Sequence, residues 1–308
     1  GIPDDIDGWT ALSVVEDAFT DWVERCPKLF VYLADHGSAV QGRGRMRLNA
    51  SEELSAVMLA EWLDALQEAH RTEVILVMDF CYAGSFLDDL AYTGTAPRIV
   101  IASAGTGQLT YFVARGAVSF SDVFFNAVFQ NFDLLTSFGL AREAMSPYQG
   151  AVFDDDGNGL YEPGTAGDAA SGARVGASVI AGRDFPTINT VMPSQTISSN
   201  SVQVWAADTS SVYPLDRVWV SITAPGRLPD AESGVPVVNL PDVDLSLNPV
   251  SRRYEATVAG LSEPGLYSLQ FFARDIWGGV SLPRSATLDR SDFEDWMVLV
   301  ACGPTSHA

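Results

Sequence analysis

Residues 29–37, LFVYLADHG, and residues 74–84, VILVMDFCYAG, decide the fold. Each is an apolar run, rich in β-branched residues, that breaks off abruptly into small and polar ones. A run that is apolar at every position has no solvent face, which is the pattern of a parallel strand covered on both sides. RIVIAS at 98–103 has the same character. Between the first two lies NASEELSAVMLAEWLDALQEA, where Leu54, Met58, Trp62 and Leu66 recur every four residues and mark one face of a helix. Asn49 and Glu52 have the spacing of a capping box, which predicts a helix over 51–69. Strand, helix, strand is a crossover unit, expected to be right-handed. Further helices are expected at 12–25, 121–131 and 138–146.

From about residue 187 the pattern changes. SVQVWAADTS, DRVWVSITAP, RYEATVAGL and GLYSLQFFARDIWG read as strands with turn signals between them. An all-β sandwich of about 100 residues, similar to immunoglobulin or fibronectin type III modules, fits that spacing. The chain therefore divides into an α/β domain over 1–150, an acidic Gly-rich linker over 151–186, a sandwich over 187–288, and a tail, 289–308, too short to be a domain.

Composition narrows the functions open to it. Among 308 residues, 39 Asp and Glu against 18 Lys and Arg leave a net charge of −21, which excludes nucleic-acid binding through phosphate contacts. The only lysine is Lys28. With 47% hydrophobic residues and the charge shared between the two halves, the chain has the composition of folded domains, not of a disordered segment. The longest uninterrupted apolar stretch, WMVLVAC at 296–302, is far short of the ~18 to 20 residues of a membrane helix. Cys26, Cys81 and Cys302 are too few for a disulfide framework, and their odd number leaves at least one free or paired between chains. The sequence opens at Gly1 and reads as a fragment or a processed form.

Two of the apolar runs end alike: Asp35, His36 and Gly37 follow the first, and the second closes with Asp79, Phe80 and Cys81. Ligands of open parallel sheets bind outside the carboxyl ends of strands, and neighbouring strands lie ~4.8 Å apart. One crossover thus brings His36 and Cys81 to the same rim. A thiol attacks as thiolate, and an imidazole within reach takes its proton and later protonates a leaving amine. Backbone N–H groups at Gly37 and Cys81 could hold the oxyanion of a tetrahedral intermediate. Such a dyad requires no cofactor. Cys26 before Pro27, His70 beyond a helix, and His307 read as structural or solvated residues. Asp35 orients either the turn or His36.

LFVYLADHGS followed by VILVMDFCYAGSF resembles the legumain family of cysteine peptidases, in the clan of caspases, metacaspases and gingipains. The resemblance covers roughly residues 12–165 and includes GAVSFSDVFFNAV at 116–128, similar to the helix after the specificity strand. It implies a caspase-like, mostly parallel sheet flanked by helices, with Cys81 as nucleophile and His36 as acid/base. It also implies that Asp79 lines the pocket for the side chain preceding the scissile bond, favouring Asn or a basic residue, with Ser103 and Ala104 as further walls. The family has two strands and a helix ahead of the His-bearing strand. Only 28 residues precede LFVYLA, so those opening strands are expected to be missing, leaving an unpaired edge. Arg43, Arg45 and Arg47 alternate along a strand-like segment, and either favour an acidic substrate or offset local acid.

The expectation is a secreted or surface-associated bacterial endopeptidase acting on peptide or protein substrates. Two alternatives stand beside it: an adhesion protein whose sandwich binds a surface partner over an inactive caspase-like scaffold, and a transpeptidase or self-processing enzyme using the same dyad. VFDDDGNGLYEPG at 152–164 adds Asp154, Asp156 and Asn158, with Gly159 in sixth place and Glu162 in ninth. This is the first half of a calcium loop, but Thr165 stands in the twelfth place, where Glu is needed. The stretch reads as a calcium site or as an acidic turn.

Overall fold

The computed structural model describes residues 8–22, 26–112, 118–161, 169–175, 185–226 and 241–290. In chain order the first half holds α1 (Leu12–Asp17), β1 (Lys28–Ala34), β2 (Gly37–Val40), β3 (Arg43–Arg47), β4 (Glu53–Ser55) and α2 (Ala56–His70). It continues with β5 (Glu73–Asp79), β6 (Arg98–Ala102), α3 (Phe120–Phe129), α4 (Leu134–Met145) and β7 (Val152–Asp154). The main sheet runs β1-β5-β6-β7, with β1, β5 and β6 parallel and β7 antiparallel.

β5 lies in the middle, and Val74 through Met78 are wholly buried, as a run apolar at every position demands. Alternation splits it between two cores. Ile75 and Val77 join Ile99, Ile101, Phe120, Phe124 and Phe138 on the α3–α4 side, while Val74, Leu76 and Met78 join Leu59, Trp62 and Leu63 of α2 on the other. β1 is the edge of the described sheet: its only partner there is β5, and Tyr32 keeps 43% of its surface exposed.

Several boundaries differ from expectation. α2 begins at Ala56, capped by Ser55, whose hydroxyl accepts the Met58 N–H. The Asn49–Glu52 pair is a turn instead: Asn49 Oδ1 accepts the N–H groups of Ser51 and Glu52, and the chain then forms β4 on β3. An Asx turn and a capping box use the same side-chain-to-backbone bond, so spacing alone does not separate them. Val152–Asp154, assigned to the linker, is a strand of the main sheet with Phe153 fully buried. α4 starts at Leu134, earlier than expected, where Asp133 accepts the Thr136 N–H.

The second half is built from two mostly antiparallel sheets. Its strands are β8 (Thr187–Val191), β9 (Gln195–Thr196), β10 (Ser201–Ser210), β11 (Leu215–Thr223), β12 (Asp242–Asp244), β13 (Ser246–Asn248), β14 (Arg253–Ala259), β15 (Gly265–Asp275) and β16 (Arg284–Arg290). They order as β13-β14-β10-β8 and β12-β11-β15-β16-β9. The four strands read from the sequence are β10, β11, β14 and β15. Val204, Val220, Leu269, Phe271 and Leu288 form a core between the sheets. β16 runs past the expected boundary at 288; residues 291–308, including Cys302 and His307, lie outside the described residues.

The outer face of β11 and β15 is not solvated. Trp219 and Phe272 stack there with ring centroids 5.2 Å apart and belong to the core of α3 and α4. Tyr148 and Thr223 share a hydroxyl hydrogen bond of 2.9 Å, Asn126 Nδ2 donates to the Val280 carbonyl at 2.6 Å, and Gln270 Nε2 donates to that of Ala144. The sandwich is therefore packed onto the α/β half.

Candidate active site

β1 and β5 pair in parallel with Ala34 opposite Asp79. Each strand then ends, and the chain continues as Asp35-His36-Gly37 from one and Phe80-Cys81 from the other, at the same rim. The two turns touch: a Cβ placed on Gly37 would lie 2.0 Å from the Cys81 carbonyl oxygen and 2.5 Å from the Phe80 ring. Only glycine allows this approach, and it holds the residue after His36 against the backbone of Cys81. His36 itself is exposed and Cys81 half-buried, so both are open to a ligand.

The Cys81 turn is tightly held. Tyr82 adopts φ 64° and donates its N–H to the Gln108 carbonyl at 2.7 Å. Gly84 donates to the Ala104 carbonyl at 2.8 Å, and a Cβ there would meet the backbone of Gly105 and Thr106 at 2.7 Å. Cys81 Sγ accepts the Thr110 N–H at 3.4 Å. Nearby, burial pushes the Tyr111 phenol upward, with Cys81 and Tyr82 adding to the shift. The backbone donors at this rim are available. The Arg47 N–H binds the His36 carbonyl, so by the alternation of an antiparallel ladder Gly37 opposite Met46 is an open pair, its N–H not spent on β3. The Cys81 N–H has no backbone acceptor among the described residues.

Asp35 accepts the His36 N–H at 2.5 Å and the Arg47 guanidinium at 2.8 Å, so it fixes the turn that carries His36. The arginine row is exposed on one face of β3, and every member faces an acid: Arg43 with Asp89 at 3.7 Å, Arg45 with Glu53 at 3.3 Å, Arg47 with Asp35. The offsetting of local acid accounts for it.

Asp79 is only 3% exposed. One carboxylate oxygen accepts both the N–H and the hydroxyl of Ser121, in the first turn of α3, where the helix end favours a negative charge. The other meets no hydrogen-bond partner at normal geometry among the described residues, though the nearby Ser103 hydroxyl favours the ionised form. Burial nevertheless dominates and pushes its pKa above the usual carboxylate range. Ser103 and Ala104 are fully buried; the Ser103 hydroxyl bonds Thr110 at 2.9 Å, and the Ala104 carbonyl receives Gly84. Both support the Cys81 turn from behind, with no surface facing a ligand.

Tyr32 and Ser121 were not singled out in the sequence. The Tyr32 hydroxyl donates to Ser121 Oγ at 2.9 Å, completing a chain from solvent to Asp79. Tyr32, Ser121 and Asp122 line a cavity of about 580 Å³ between β1, α3 and the sandwich. The only sequence signal was the polar Ser119-Ser121-Asp122 cluster opening an otherwise apolar helix.

The acidic loop after β7 is satisfied by its own backbone. Asp154 accepts the N–H groups of Asp156, Gly157 and Gly159, Asp156 that of Asn158, and Asn158 that of Leu160. No group of three or more His, Cys, Asp or Glu among the described residues could hold a metal ion. Glu162 and Thr165 lie outside them.

A buried-strand α/β sheet with a thiol and an imidazole at one rim is consistent with a caspase-like fold. Residues 23–155 match the Peptidase C13 family, so the α/β half is similar to the cysteine peptidases of the legumain family, and the match supports cysteine-peptidase activity at the family level. It covers less than half of the chain and leaves the sandwich outside. No curated protein matches. The crystal structure of wild-type OgpA from Akkermansia muciniphila is similar at 12% identity with a TM-score of 0.24, covering 74% of this chain and 70% of that one; nothing further is argued from it.

Proposed function

We propose that this chain is a cysteine endopeptidase that hydrolyses peptide bonds through Cys81 and His36, favouring Asn or a basic residue before the scissile bond. The contact of Gly37 with the Cys81 carbonyl, at the ends of paired parallel strands, carries the reading. His36 takes the proton of the Cys81 thiol, and the thiolate attacks the scissile carbonyl carbon. The oxyanion that forms accepts the N–H groups of Gly37 and Cys81. As it collapses, the C–N bond breaks, His36 gives its proton to the departing amine, and a thioester remains on Cys81. Water, deprotonated by His36, cleaves the thioester and releases the acid. These steps need no metal. Secretion or surface attachment belongs to the same proposal.

The test is hydrolysis of a pooled fluorogenic peptide library by the full chain, with Cys81→Ala beside it. Turnover confined to the unsubstituted protein and concentrated on Asn, Arg or Lys peptides is expected. Equal turnover by both proteins would remove Cys81 from the chemistry, and a preference for Asp or Glu would remove Asp79 from the pocket.

A further inference from the structure

We propose that Gln149 is a positioning residue for Cys81, its buried amide holding the loop after β6 so that the Thr110 N–H stays on the Cys81 sulfur. The inference deepens the peptidase reading and rests on it only for what the thiolate attacks.

β6 and β7 pair antiparallel as far as Ala102 opposite Val152. Beyond that pair the ladder stops, and a side chain takes its place. Gln149 Nε2 donates to the Ser103 carbonyl at 2.7 Å, and Gln149 Oε1 accepts the Tyr111 N–H at 2.7 Å. The residue is 3% exposed, and its amide closes the loop 103–111 across the neck. Ser103 is the fixed side of that neck: its own N–H donates to the Met78 carbonyl at 2.8 Å, on the strand that leads to Cys81. On the other side, Thr110 precedes Tyr111 and gives its N–H to Cys81 Sγ at 3.4 Å. The amide thus grips the main chain one residue from the donor that meets the sulfur. The Ser103 and Thr110 hydroxyls pair beside it at 2.9 Å.

The chemistry of the neck selects glutamine. A carboxylate cannot donate to Ser103, a thioether neither donates nor accepts strongly, and asparagine is one methylene short of reaching both sides. The turn that carries Gln149 is itself held. The N–H groups of Tyr148 and Gln149 both donate to the Met145 carbonyl, at 2.9 and 3.0 Å, and the Tyr148 hydroxyl pairs with Thr223 of the sandwich. The next residue, Gly150, donates to Gln108 Oε1 at 2.9 Å, and the Gln108 carbonyl receives the Tyr82 N–H. A supporting residue locked in this way keeps its neighbour in one geometry. A donor held on sulfur is worth more to a thiolate than to a thiol, because hydrogen bonds to a charged acceptor are the stronger ones.

The test is the rate of Cys81 alkylation by iodoacetamide at pH 6.5 and pH 9.5, read by peptide mapping, in the full chain, Gln149→Met and Gln149→Asn. Gln149→Met is expected to slow alkylation about tenfold at pH 6.5, the worth of one hydrogen bond to a charged group. At pH 9.5, where an ordinary thiol ionises unaided, the rates are expected to agree within about twofold. Gln149→Asn, which keeps the amide and loses its reach, is expected to show the same pattern at about threefold, and it decides the matter if Gln149→Met does not fold, as thermal unfolding will show. Unchanged alkylation at pH 6.5 in a folded variant overturns the inference. So does equal slowing at both pH values, which marks a blocked or distorted site and not a lost donor. Peptide hydrolysis assayed in parallel separates this inference from the peptidase reading, and kcat is expected to fall with KM nearly unchanged. Alkylation that depends on Gln149 in a chain that hydrolyses nothing keeps the positioning role and sinks the peptidase, whereas hydrolysis with alkylation indifferent to Gln149 does the reverse.

Discussion

A methyl group at position 37 would stand 2.0 Å from the Cys81 carbonyl oxygen, so Gly37→Ala must push the His36 and Cys81 turns apart. Overpacking of this kind costs about 1–3 kcal/mol; kcat/KM is expected to fall by more than the loss of stability explains, because small displacements of reacting groups cost heavily. Normal activity in a folded Gly37→Ala protein would show that the turns need not touch. Asp79 gives a pH signature. Its folded pKa lies above the ordinary 3.8, with burial the chief cause, so the native state keeps the proton that the unfolded chain has released. Stability contributed by the protonated form is therefore present below 3.8 and lost as pH rises through the folded value. Asp79→Asn is expected to raise Tm at pH 7 relative to the unsubstituted protein, to bring little or no gain at pH 3, and to weaken selection of basic substrates. A Tm lowered equally at both values would contradict the burial cost. Cys81, His36 and Gly37 were legible because apolar runs ended on them. The burial of Ser103 and the coupling of Asp79 to Ser121 were not, since both depend on side chains from distant segments.

At the scale of elements, strands were read more faithfully than helix ends. Continuous apolar runs leave β5 no alternative to a central position, whereas two capping-competent residues, Asn49 and Ser55, compete for the start of α2. Ser55 does the capping, and Asn49 closes a turn. Ser55→Ala is expected to lower stability by about 1 kcal/mol and to increase hydrogen exchange at the Met58 amide. Asn49→Ala should leave that amide unchanged; the reverse pattern would place the cap at Asn49. β7 escaped the reading because three residues between acidic stretches carry too little pattern, although Phe153 alone fills a fully buried position.

Across the whole molecule, the two halves distinguished by their hydrophobic pattern share a core. Patterning records the local period of each segment, and only packing shows that Trp219 and Phe272 turn outward from the sandwich onto α3 and α4. A single calorimetric transition is expected, and Phe272→Ala should lower stability by about 3–5 kcal/mol and impair peptidase activity together. Two separate transitions, with only one shifted, would mean that the halves fold independently. The central claim concerns one thiol among three cysteines. Incubation of the full chain with an arginine peptide bearing a chloromethyl ketone, followed by peptide mapping, is expected to place one adduct on Cys81, slowed strongly in His36→Ala. An adduct on Cys26 or Cys302 with Cys81 unmodified, or labelling of Cys81 at the same rate without His36, would contradict the dyad.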